Sequence, residues 1–95
     1  MIDAIDDSLP GAELVRTGLE DLRQGRDSIE ALLVLVGAPR LRRIGLDVPP
    51  RDLPLPEHRL YERLAAADPE TAHSRYNALL RRLVSFERAA ECARR

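Results

Sequence analysis

Lysine is missing from this 95-residue sequence; all 15 basic side chains are arginines. Such a preference is what the coding bias of a GC-rich genome would produce. Its physical consequence is that the basic groups favour planar, bidentate pairing over the loosely solvated point charge of an ammonium. Cysteine is nearly missing too. A lone Cys92 rules out an internal disulfide and gives no zinc-ligand spacing. No run of about eighteen apolar residues occurs, so no membrane-spanning helix is expected. No glycine-rich phosphate loop follows a strand, because no strand is expected at all. Internal repeats and low-complexity tracts are also absent. Net charge is only −1, so no overall field draws the chain to nucleic acid or membrane.

What is present fits one small domain, residues 1–95. A chain of this size buries about 60% of its unfolded surface, enough for a single core with a modest margin. Its charge is unevenly placed. Residues 1–36 carry eight acids against three arginines, and residues 37–95 carry eight against twelve. The first residues, "MIDAIDDSLP", are acidic where a secretion signal needs positive charge, so a cytoplasmic protein is expected. Residues 1–7 read as a flexible acidic arm.

The apolar pattern predicts an all-α fold: a compact bundle of four principal helices plus one short helix, with a proline-rich crossover loop at 46–56. The first helix runs from about Leu9 to Gln24, with Ser8 as its cap and Leu14, Val15, Leu19 and Leu22 on its inner face. Gly11 and Gly18 share that face. Glycine costs about 1 kcal/mol inside a helix, so two there suggest close approach of another backbone. "DSIE" predicts a capping box with Asp27 as cap and Glu30 reaching back. The second helix, Ile29 to Val36, is apolar on every side and therefore central. A strand is the competing reading of "LLVLV", but nothing else in the chain offers it a partner. Gly37 ends this helix, and a short one follows in "PRLRRIG", with Leu41 and Ile44 inward and Arg40, Arg42 and Arg43 outward.

Four prolines in "LDVPPRDLPLP" forbid helix or central strand, leaving an extended crossover pinned by Val48, Leu53 and Leu55. "PEHRLYERLAAA" forms the third principal helix, with Leu60, Tyr61 and Leu64 inward. "DPE" at 68–70 starts the fourth, with Asp68 as cap and Pro69 in the first turn. No breaker follows, and its stripe is Ala72, Tyr76, Leu79, Leu80, Leu83, Phe86 and Ala90.

The candidate sites are few. Gly37 followed by Arg40, Arg42 and Arg43 resembles the turn and second helix of a DNA reader in spacing alone. A recognition helix needs room to present varied side chains to the major groove, and only seven residues lie between Gly37 and Gly45. "ETAH", Glu70 to His73, has the Glu-x-x-His spacing of di-iron bundles, but such a centre needs the motif twice. No cofactor or metal is expected. Serines and histidines show no suggestive spacing, Cys92 reads as an inert tail residue, and no catalytic residue is assigned. Residues 74–89 combine arginine, tyrosine and amide side chains, the types that interfaces favour at their hot spots. Arg75 and Asn77 there either contact a partner or hold the crossover down around a core Tyr76, and the second reading is preferred.

The expected function is a non-enzymatic interaction or regulatory module, with an unknown protein partner. The alternative is a nucleic-acid-binding regulator using Arg40, Arg42, Arg43 and perhaps Arg51. A homodimer is also expected through the end of the last helix. A helix from Pro69 to Arg94 is about 39 Å long at 1.5 Å per residue and would overhang its neighbours. The interface would be Phe86, Ala89, Ala90 and Ala93, flanked by Glu87 and Glu91.

Overall fold

The computed structural model describes residues 6–93; most of the expected acidic arm, residues 1–5, and the terminal Arg94 and Arg95 lie outside them. Five helices follow one another among the described residues, and no strand occurs there. They are α1 (Ala12–Arg23), α2 (Ile29–Val36), α3 (Ala38–Arg43), α4 (Pro56–Ala67) and α5 (Ala72–Ala93). α2 is the hub: α1, α3, α4 and α5 all pack against it. α5 also lies against α4 and α1, which closes the bundle.

The middle of α2 explains this arrangement. Ala31, Leu32, Leu33 and Val34 are consecutive and at most 2% exposed, so one whole turn is surrounded. The expectation of an all-round buried helix holds for that turn. Ile29, Leu35 and Val36, at the two ends, are half-buried. Facing the hub are Val15, Leu19 and Leu22 of α1, Leu60 and Leu64 of α4, and Leu83 and Phe86 of α5, all buried. Gly18 is what lets α1 come so close. A Cβ there would stand 2.4 Å from both the Glu30 carbonyl oxygen and Val34 Cγ2 of α2.

α1 begins at Ala12, three residues later than the pattern predicts. Ser8 turns back to Asp6 instead, donating from its N–H at 2.9 Å and its hydroxyl at 2.8 Å to Asp6 Oδ1. Gly11 then bends the chain with φ +76°, a conformation side chains rarely adopt. It also lies against α5, where a Cβ would meet the Arg82 carbonyl oxygen at 2.7 Å. Both glycines therefore mark close backbone approach.

The cap of α2 is Ser28, not Asp27. Ser28 Oγ accepts from the Ala31 N–H at 3.0 Å and donates to Asp21 Oδ2 at 2.5 Å. Asp21, in the last turns of α1, is nearly buried and also accepts from Arg26 Nε at 3.0 Å. The Ser28 hydroxyl, then Arg26, hold its carboxyl below the ordinary aspartate value. One carboxylate thus ties both sides of the α1–α2 turn. Asp27 is left for the crossover: its carboxylate accepts from Arg51 and its carbonyl from Arg63.

The crossover is extended, as its prolines require. Leu46 and Val48 are buried and Leu53 is half-buried, but Leu55 is 68% exposed. Leu55 carries φ +54° at the entrance to α4, which turns its side chain away from the core it was expected to pin. Arginines do more of the pinning. Arg42 donates to the Val48 carbonyl from Nε at 3.3 Å and Nη2 at 3.1 Å, and Arg59 Nε to the Pro54 carbonyl at 2.9 Å. α5 starts at Ala72 because Asp68 ends α4 and accepts the Glu70 N–H at 3.1 Å, making residues 69–71 a turn.

Candidate interaction surface

α5 has two unlike sides. Its inner side is buried through Ala72, Leu83 and Phe86, with Tyr76, Leu79, Leu80 and Ala90 partly packed on the same core. Glu87 belongs to this side as well and is only 4% exposed. Its place follows from period: four residues after Leu83 and one after Phe86, it falls on the apolar stripe. The sequence reading put it on the flank, because its charge outweighed its spacing.

Arg40 meets this carboxylate. Its Nη1 lies 3.5 Å from Glu87 Oε1, while Nε and Nη2 donate to the two oxygens of Glu91, the former at 3.3 Å. Burial lifts the Glu87 carboxyl above the ordinary glutamate value, against the pull of Arg40 and Arg43 and with the push of Glu91. The hydrogen bond that Arg40 donates to Glu91 raises its affinity for its proton. Arg40 was expected to point into solvent; two acids one turn apart on α5 draw it inward. Arg42 is bound to the crossover, and Arg43 is exposed with its charge felt at Glu87. The three arginines therefore do not gather into one cationic face.

Arg75 and Asn77 do not hold the crossover. Asn77 Nδ2 instead lies 3.3 Å from His73 Nε2, one turn back. Arg75 is exposed and makes no ion pair or side-chain hydrogen bond among the described residues. Around His73 sits the aromatic group of the molecule. Tyr61 of α4 meets Tyr76 edge-on with ring centres 5.5 Å apart, and His73 edge-on at 6.5 Å. Tyr61 is 36% exposed, so it lies on the surface and not beside Leu60 and Leu64 in the core. Tyr76 is half-buried; burial, with Glu57 nearby, keeps its phenol above the ordinary tyrosine value and hence neutral. Tyr61 was missed because its i, i+1 and i, i+3 neighbours suggested a face one residue too wide.

From Asn77 a shallow groove continues down α5, lined by Leu80, Arg81, Val84, Ser85 and Arg88. Leu80 and Val84 are half-buried; the other side chains from Arg81 onward are exposed. Among the described residues Arg81 and Arg88 have no acidic partner. The surface is thus aromatic at one end, apolar along the middle and cationic along one edge.

The dimer residues fare differently. Phe86 is 1% exposed within its own chain. α5 is 22 residues, about 33 Å at 1.5 Å per residue, shorter than the expected helix from Pro69. Phe86, Ala90 and Ala93 line a cavity with Leu9, Ile44 and Leu46; Phe86 is buried there, Ala90 half-buried and Ala93 exposed. Ala89 is half-buried. Among the described residues no group of three His, Cys, Asp or Glu could hold a metal, and no helix is long and apolar enough to cross a membrane. Comparison with known proteins found no match to a family model, a curated sequence or a solved structure.

Proposed function

We propose that this chain is a non-enzymatic protein-interaction module working in the cytoplasm, and that it meets its partner with the outward face of α5 and the adjoining Tyr61 of α4. The carrying observation is the displayed aromatic group. Two of the chain's three aromatic residues, exposed Tyr61 and half-buried Tyr76, meet beside exposed His73, near an apolar groove edged by Arg81 and Arg88, which have no acidic partner among the described residues. Aromatic and arginine side chains dominate the binding energy of protein interfaces. Internal bonding of Arg40 and Arg42 weighs against nucleic acid, since phosphate contact needs free cations. A second copy is a weaker fit than a different protein. With Phe86 in the core, the expected dimer seam retains only Ala89, Ala90 and Ala93, three methyl groups where a stable interface buries about 1,200–2,000 Å².

The test is a comparison of retained proteins. The unmodified chain, immobilised, retains a partner from extract of its source organism that Tyr61→Ala loses, with mass spectrometry reading both. Equal retention by the two forms defeats the reading. Duplex DNA of random sequence is expected to bind no tighter than about 10⁻⁴–10⁻⁶ M at physiological salt; nanomolar binding would move the function to nucleic acid.

A further inference from the structure

We propose that the groove of α5 receives an acidic amphipathic helix of a partner protein, seated on Leu80 and Val84 with its acids against Arg81 and Arg88; this rests on the interaction reading above. Charge complementarity decides the occupant. α5 contains two acids, Glu87 and Glu91, and both are paired with Arg40. Arg81 and Arg88 therefore line the groove with no acid of the described chain to meet them. They are seven residues apart, two turns, or about 10.5 Å along the helix. A helix laid alongside matches them with acids at i and i+7, and apolar residues four apart on its adjoining stripe fall on Leu80 and Val84, which are themselves four apart. Val84 is half-buried yet is not part of the hydrophobic core, so its remaining surface is available to such a helix.

Other occupants fit less well. A second copy placed symmetrically on this face sets Arg81 and Arg88 against the same two cations, which repel. A bilayer surface needs protruding apolar side chains that enter the acyl region, and Leu80 and Val84 lie half-sunk in the helix flank.

Cys92, the single cysteine, is exposed on the last turn of α5 and takes a fluorophore without other changes. The labelled chain is used to select from a display library of helical 18-residue peptides with random residues on one face. Selected peptides are expected to carry apolar residues four apart beside Glu or Asp residues two turns apart, and to shift the amide NMR signals of Leu80, Arg81, Val84 and Arg88. The double variant Arg81→Glu with Arg88→Glu is expected to melt like the unmodified chain, to bind those peptides at least tenfold more weakly, and to select Lys or Arg flanks instead. Selected peptides without acidic flanks overturn the inference, as do signals mapping to another face, which leave the interaction module standing. Self-association lost in the double variant overturns it in favour of a second copy. If no peptide binds anywhere and Tyr61→Ala retains the same proteins as the unmodified chain, both readings fall.

Discussion

Glu87 is the carboxylate whose surroundings oppose its charge most strongly. It lies buried against Leu83 and Gly37, with its Oε2 only 2.8 Å from where a Cβ on Gly37 would stand. Arg40 and Arg43 favour its ionised form, while burial and Glu91 disfavour it, and burial is the largest of these effects. The folded chain therefore holds this proton more tightly than the unfolded chain. By linkage, that contribution is fully present below the ordinary glutamate value and is lost as pH rises through the folded one. Asp21 behaves in the opposite sense. Its folded value is lowered by Ser28 and Arg26, so its contribution is full above the ordinary aspartate value and disappears as acid brings pH through the folded one. Glu87→Gln is thus expected to flatten the decline of stability on the neutral side and leave the acid side unchanged. Urea melts across a pH series check this. Parallel pH curves for the variant and the unmodified chain would show that Glu87 titrates normally. The spacing of Glu87 was visible in the sequence, but its partner is Arg40, 47 residues away, which spacing along one helix does not reveal.

At the scale of elements, the helices were legible because their periods are strong and their breakers are glycine and proline. The starts were less so. Asp27 and Ser28 are adjacent residues of equal capping ability, and the choice between them is made by Asp21, which binds the Ser28 hydroxyl from the preceding helix. Ser28→Ala loses the cap of α2 and a partner of Asp21 together, and is expected to cost about 1–2 kcal/mol. Asp27→Ala breaks only exposed contacts with Arg51, where surface pairs contribute about 0–1 kcal/mol. Denaturant melts of the two variants check the order; a larger loss from Asp27→Ala would return the cap to Asp27. Leu33→Ala probes α2 itself. Leu33 is 0% exposed in the surrounded turn, so the expected cost is about 2–5 kcal/mol. A melt showing less than about 0.5 kcal/mol, far below that range, would mean that α2 is not the hub. The arginines at 40–43 were legible as a cluster but not as separate roles, since their acids and carbonyls come from α5 and the crossover.

At the scale of the whole molecule, the decisive question is which surface closes on itself and which stays open. The apolar stripe of α5 runs unbroken to Ala90, and from sequence alone its end could be covered by a second copy or by the same chain. Length favoured the second copy, since a helix beginning at Pro69 outruns its neighbours. Within the one chain, Gly11 brings the start of α1 against Phe86, whose Cβ is 3.4 Å from the position of a Cβ on Gly11, and Ile44 and Leu46 line the cavity beside it. Phe86→Asp distinguishes these arrangements. In an interface it yields a folded monomer. In the core it removes a large buried side chain, a loss of about 3–5 kcal/mol for phenylalanine truncation, and adds the cost of an unpaired buried charge. Together these approach the roughly 5–15 kcal/mol that holds a whole domain folded. Phe86→Asp is therefore expected to abolish the cooperative thermal transition seen by far-ultraviolet circular dichroism. Arg88→Glu, two residues on but exposed, is expected to leave that transition within a few degrees of the unmodified chain, because surface changes usually stay within about 0.5 kcal/mol. If sedimentation finds the unmodified chain dimeric and Phe86→Asp a folded monomer, the end of α5 is an interface after all, and the outward groove loses its claim to be the surface on which this molecule meets others.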